Sequence, residues 1–183
     1  MARTGHLQKM AREDEAPGHG PQAPWTHERG SDPGIKVRPL RGGETEVVQA
    51  VFDRLGPRSR LLRFGGAKNV LLPGELEVLA RVDGDHHVLV AWFGDEPVGI
   101  ARLVRDGKAA DVAFAVVDEL QGNGVGTVLS QRLTEDARAA GIETLRATMS
   151  AENEASLALL KRMTAGMKVQ CAAGQLEVVG RAA

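Results

Sequence analysis

The chain contains no tyrosine, one cysteine and few aromatic residues of any kind. Each shortage narrows what it can do. A single thiol, Cys171, rules out an internal disulfide framework and fits a reducing compartment. Its plainest role is that of a small apolar strand residue. Without tyrosine there is no phenol to serve as acid or base. An excess of charge is also missing, because 23 Lys and Arg stand against 24 Asp and Glu, scattered along the chain. That pattern speaks against a nucleic-acid groove or a membrane-surface patch. No run approaches the ~20 apolar residues of a membrane span, and Met1 to His6 lead into no apolar segment of a secretory signal. A cytoplasmic location is therefore expected. His6, His19 and His27 do not show a metal-ligand spacing, and no metal is expected.

At 183 residues the chain suits one domain with an ordinary core and an appendage. Residues 1–34 differ from the rest, with charged clusters such as Arg12-Glu13-Asp14-Glu15 among Pro and Gly and few apolar side chains. Such a stretch buries too little surface to offset its ordering entropy, so a tail is expected there, in which Trp25 is the residue best suited to dock on the domain. The compact part, 35–183, begins with the alternating run Ile35 to Leu40. Val47, Val48, Val51, Phe52 and Leu55 then follow helical spacing until Gly56-Pro57. Residues 58–80 read as helical, interrupted by Gly65-Gly66 and Pro73-Gly74. Three strands come next, over 87–93, 98–104 and 109–117, with Gly94-Asp95 and Asp106-Gly107 as turns. A helix over 126–140, a strand over 144–149, a helix over 153–165 ended by Gly166, and a closing hairpin over 169–179 complete the order.

The most informative stretch lies where the strand ending at Val117 passes through Gln121-Gly122-Asn123-Gly124-Val125-Gly126 into the helix. Residues without side chains let backbone N–H groups approach a ligand, and a helix N-terminus adds positive potential. An anion site follows. A dinucleotide fingerprint would need glycine where Thr127 stands, and a Walker loop would need Gly-Lys-Ser/Thr, which is absent. A plain helix-entry loop is the remaining alternative.

With three antiparallel strands before it, Gln121-x-x-Gly124-x-Gly126 resembles the Gln/Arg-x-x-Gly-x-Gly/Ala signature of the GNAT superfamily of acyl-CoA-dependent N-acetyltransferases. The resemblance covers roughly 35–180. Further likeness is to bacterial Pat-like protein-lysine acetyltransferases, carried by Ser59-Arg60-Leu61-Leu62-Arg63-Phe64, by Glu75-Leu76-Glu77-Val78-Leu79 and by Val82-Asp83-Gly84 before Leu89-Val90-Ala91. It implies an α+β domain of the GNAT type, a mixed central sheet of six to seven strands with helices on both faces, splayed at the acyl-CoA site. It also implies that acetyl-CoA is the co-substrate. The backbone of Gly122, Asn123, Gly124, Val125 and Gly126 would hold its pyrophosphate, with Gln121 and Thr127 assisting. A backbone N–H among Ala115, Val116 and Val117 would polarise the thioester, most directly that of Val116. Asn153 would approach the pantetheine or adenine side, although a helix N-cap is an equal alternative.

Alternation places Asp111, Ala113, Ala115 and Val117 on one strand face. A carboxylate heading a row of small residues leaves room for a thioester and an amine. The matching Pat-like position is commonly a glutamate general base, so the resemblance implies that role for Asp111, one methylene shorter and more suited to act through water. A solvated charge at a hairpin end is the competing reading. A lysine must lose a proton at ~10.4 before attacking, and an aspartate at ~3.9 is a weak base. The leaving thiolate, near ~8.5, makes little demand on an acid, which suits a chain without tyrosine. His86 and His87 face either the acceptor or solvent in a turn. A protein lysine is the favoured acceptor. The alternatives are a polyamine, amino sugar or antibiotic, or a catalytically weak acyl-CoA sensor. A monomer or homodimer is expected.

Overall fold

The computed structural model describes residues 34–183. The expected tail, with Trp25 and three of the histidines, lies outside the described residues except for Gly34. Strand β1 (Ile35–Pro39) is followed by helices α1 (Thr45–Asp53), α2 (Pro57–Phe64) and α3 (Pro73–Leu79). Strands β2 (His86–Phe93), β3 (Glu96–Asp106) and β4 (Ala109–Val116) form a meander, and a 3-10 turn over Asp118–Leu120 leads to α4 (Val125–Ala139). Then come β5 (Thr144–Ser150), α5 (Glu154–Met163), β6 (Thr164–Ala172) and β7 (Gln175–Ala182). The seven strands form one sheet in the order β1-β2-β3-β4-β5-β7-β6.

Helices cover both faces of this sheet. Val47, Val48 and Phe52 of α1 pack with Val88 and Val90 of β2. The intervening β2 residues, Leu89 and Ala91, turn the other way and meet Leu129, Leu133 and Ala137 of α4. Period two on the strand and period 3.6 on the helices thus bring two apolar stripes onto opposite sides of one strand. Leu129 and Leu133 are fully buried, each contributing about 1.5–3 kcal/mol of transfer free energy. At Gly99 of β3 an added Cβ would lie 3.1 Å from both Leu129 and Val125. This missing side chain lets the first turn of α4 sit against the sheet.

The region expected to be helical over 58–80 is two helices. Pro57 starts α2, and Gly65, at φ 70°, ends it. The last helix stops at Met163, earlier than Gly166 suggested, and β6 begins directly at Thr164. Gly166, at φ 64°, sits where the β6–β7 register shifts between Ala165 and Lys168. It serves a bulge in a strand that β7 pairs with over most of its length.

The feature that makes the site is a failure of pairing. Strands β4 and β5 run parallel and share Ala109 with Thr144, Ala110 with Leu145 and Asp111 with Arg146. Beyond those three pairs they part. Strand β4 stays in register with β3 to Val116, and β5 stays in register with β7 to Ser150.

Candidate active site

The parting of β4 and β5 opens a cleft of about 370 Å³, a size suited to part of a small-molecule ligand. Val112 to Val116 form one wall and Ala147 to Met149 the other. Ser59, Leu62 and Arg63 of α2 close one side, while Asn153, Ser156 and Leu159 close the side near α5. At the floor is the glycine turn. Gly122 and Gly124 have φ of 78° and 85°, left-handed values that an L side chain disfavours. Gly126 answers a different need, since a Cβ there would lie 3.2 Å from Leu159.

The turn leaves donors unpaired. The first bond of α4 runs from Val128 N–H to the Gly124 carbonyl at 3.0 Å, and no side chain caps the helix. The N–H groups of Val125, Gly126 and Thr127 precede that bond. They are the ordinary orphan donors of a helix start, directed out of its N-terminus and suited to an anion.

Sheet geometry sorts the three candidates at the end of β4. Val117 donates its N–H to Val98 at 3.0 Å and is fully buried, so its amide is spent. In an antiparallel ladder alternate residues turn their N–H and C=O to the same neighbour. With Ala115 opposite Ile100 in continuous register, the amide of Ala115 also faces β3. The amides of Val116 and Phe114 face the other way, into the parting. Of the expected trio only Val116 therefore offers a donor to the cleft. Alternation in a sequence sorts side chains rather than amides, so it does not point to Phe114.

The remaining expected residues divide. Gln121 borders the cleft, but its amide nitrogen lies 3.0 Å from the Val116 carbonyl, 3.0 Å from Ser59 Oγ and 3.2 Å from Asp118 Oδ1. It braces the turn against β4 and α2, and those contacts use its donors. Thr127 Oγ1 accepts from Arg162 Nη1 at 2.9 Å, which brings a cation from α5 to the mouth of the turn. Arg162 was not singled out from the sequence because it lies 35 residues away. Asn153 Oδ1 accepts from Ser156 N–H at 3.1 Å, capping α5, while the residue also borders the cleft. The side chain of Val125 is buried in the core. That of Asn123 is exposed and donates to the Gln121 carbonyl at 3.2 Å, and neither residue lines the cleft.

Asp111 stands apart from the others. It belongs to the closed end of the β4–β5 pair, just before the lining residues begin. Its carboxylate accepts from Arg146 Nε at 3.1 Å and Nη2 at 2.9 Å. Arg146 also reaches Asp106 at 3.1 Å, and these hydrogen bonds, that of Asp111 first, raise the guanidinium above its usual value. The row Ala113 and Ala115 does border the open space, but the carboxylate at its head is held against β5. Direct contact with a substrate amine is not what this geometry provides. His87 is fully buried on the α4 side, with Nε2 2.8 Å from Asp136 Oδ2, and His86 closes a turn with Asp83. Neither borders the cleft.

Charge at the cleft is positive. Arg63 borders it, and burial first, then the neighbouring Arg102 guanidinium, push Arg63 down to about 10. It remains a cation at neutral pH. Among the described residues the lining includes no carboxylate, imidazole or thiol, and no grouping of His, Cys, Asp and Glu is placed to hold a metal ion.

A cleft opened between parallel strands beside a glycine-entered helix is the splayed arrangement that the GNAT resemblance implies. Residues 63–164 match the acetyltransferase (GNAT) family. A Pseudomonas aeruginosa acetyltransferase is 30% identical over 129 residues, 66% of this chain and 69% of that one. The acetyltransferase Pat of Mycolicibacterium smegmatis is 35% identical over 96 residues, 49% of this chain but 29% of that one. Among solved structures, the GNAT domain of S. lividans PAT superposes with a TM-score of 0.73 at 23% identity, covering 80% of this chain and 90% of that domain. The chain belongs to the GNAT family and is an acyl-CoA-dependent N-acetyltransferase.

Proposed function

We propose that the protein takes acetyl-CoA into the β4–β5 cleft and passes the acetyl group directly to a primary amine, with a protein lysine as favoured acceptor. The observation that carries this reading is the Val116 amide facing the parted strands above the open N-terminus of α4. The uncapped N–H groups of Val125, Gly126 and Thr127, with Arg162 beside them, suit the diphosphate. The attacking nitrogen forms its bond to the thioester carbon, charge gathers on the carbonyl oxygen, and the Val116 N–H is placed to stabilise it. A donor of that kind is worth about 10²–10³ in rate. The carbon–sulfur bond then breaks and the thiolate leaves at little cost, taking up the second proton that the nitrogen sheds as the amide forms.

The ammonium proton must depart before attack. Since the described lining holds no base, water carries the proton. Asp111, on the same strand face as Ala113 and Ala115, is its proposed terminal acceptor. The likeness to Pat supports a protein acceptor. So does α2, which gives Ser59, Leu62 and Arg63 to the cleft and leaves Leu61 exposed, as Val70, Leu72 and Val78 are further along the chain. Purified protein incubated with acetyl-CoA and a panel of proteins, polyamines, amino sugars and aminoglycosides tests the reading by thiol release and mass spectrometry. Acetyl-lysine on proteins is expected. Turnover confined to small amines would refute the acceptor assignment. Tight acetyl-CoA binding without turnover would favour a sensor, and no thermal stabilisation by acetyl-CoA would remove the donor.

A further inference from the structure

Five arginines among the described residues pair with carboxylates, including Arg38 with Glu44, Arg54 with Glu96 and Glu119, and Arg146 with Asp106 and Asp111. Arg63 has none among the described residues. Its guanidinium carbon lies 5.1 Å from the centre of the Phe64 ring. It borders both the cleft and a smaller recess formed with Ile100, Arg102 and Ala115. Arg102 donates through Nη2 to the Val78 carbonyl at 3.1 Å, while its Nε is buried without a partner. Cross-strand pairing sets Arg102 opposite Ala113 and Ile100 opposite Ala115, so small side chains leave room beside the two cations. Holding a desolvated guanidinium next to a second one is unfavourable until an anion arrives.

We propose that Arg63, reinforced by Arg102, binds a carboxylate carried by the acceptor close to the amine that is acetylated. This rests on the reading of the cleft as the site of acetyl transfer. A carboxylate accepts two parallel N–H bonds from a guanidinium fork, and its entry offsets the repulsion between Arg63 and Arg102. The same pair disfavours acceptors that bring further positive charge, such as polyamines. Two sources carry this chemistry: an Asp or Glu flanking a lysine in a peptide, and the carboxylate of a free amino acid.

The test uses terminally blocked peptides with Lys flanked by Glu or by Gln, and amino acids beside their amides, with wild type, Arg63→Gln and Arg63→Lys. In wild type, kcat/KM for the carboxylate member of each preferred pair is expected to be about 10–100-fold higher, mainly through KM. Arg63→Gln abolishes that ratio and Arg63→Lys retains part of it. A preference seen only with amino acids supports the carboxylate site and assigns it to free amino acids, against a protein acceptor. Equal rates for carboxylate and amide in wild type, or a ratio that survives in Arg63→Gln, would overturn the proposal. Calorimetric binding of the same pairs to the protein loaded with CoA reads the preference without turnover. Absence of thiol release from every amine would then refute acetyl transfer while this binding comparison still decides the carboxylate site. Thermal stabilisation by acetyl-CoA shows that each variant is folded.

Discussion

Replacing Gly124 by alanine separates backbone conformation from side-chain contact in the turn. Nothing lies within 4 Å of the added Cβ, so no clash arises. The cost comes from φ 85°, ψ −8° at the N-cap of α4, a left-handed conformation that costs an L residue about 1–2 kcal/mol. For a domain of this size each 1 kcal/mol lowers Tm by about 2–4 °C, so a fall of roughly 2–8 °C is expected. Relaxation out of the left-handed region turns the N–H groups of Val125, Gly126 and Thr127 away from their common direction. A hydrogen bond to a charged group is worth about 1.5–3 kcal/mol, so losing one weakens acetyl-CoA binding about 10–100-fold. Gly174→Ala is the matched control. Its φ is 77°, again with nothing within 4 Å, but it lies in the β6–β7 turn and does not line the cleft. Thermal melting and calorimetric titration with acetyl-CoA measure both variants. The two should lose similar stability, with Gly124→Ala alone losing affinity. If Gly124→Ala is destabilised yet binds acetyl-CoA like wild type, the amide cradle is not the diphosphate site.

Asp111→Asn should lower kcat about 10–100-fold at pH 7 with acetyl-CoA affinity unchanged, and the deficit should shrink as pH rises and the amine loses its own proton; an unchanged pH–rate profile would exclude Asp111. Arg162→Ala removes the cation on Thr127 and should raise the acetyl-CoA Kd by about 3–10-fold, with a weaker salt dependence than wild type in titrations. Burial by itself would raise Asp136, but hydrogen bonds from His87 and then Arg132 outweigh it and hold the carboxyl below its ordinary value of 3.8. Its stabilising contribution is therefore complete above about pH 4 and is lost as pH falls through the lowered native value. Asp136→Ala, which strips His87 and Arg132 of that partner, should cost about 3–5 kcal/mol at pH 7. Thermal melts should show the gap to wild type narrowing below pH 4, and a constant gap would refute the linkage.

Element order was legible along the chain because each signal is local. The apolar stripe of α4, the glycines before it and the turn glycines between strands act through backbone geometry within a few residues. Local pattern also explains why the glycine turn read as the opening of a helix. It failed at Gly166, where a helix stop and a bulge glycine have the same sequence sign, and only pairing with β7 distinguishes them. It failed again for amides, since whether the N–H of Val116 or Val117 is free depends on which strand lies on each side.

Residue types and spacing sufficed for the local features of the site: a glycine turn that opens a helix, following a strand that carries a row of alanines. Tertiary structure decided which groups face that site. Strand β5 pairs with β4 for only three residues, so the cleft starts after Asp111 and leaves that carboxylate with Arg146. Helix α2 brings Arg63 to the cleft, and helix α5 brings Arg162 to Thr127 at its edge. Coulombic and hydrogen-bonding partners are set by distance through space, which the order of residues along a chain does not encode.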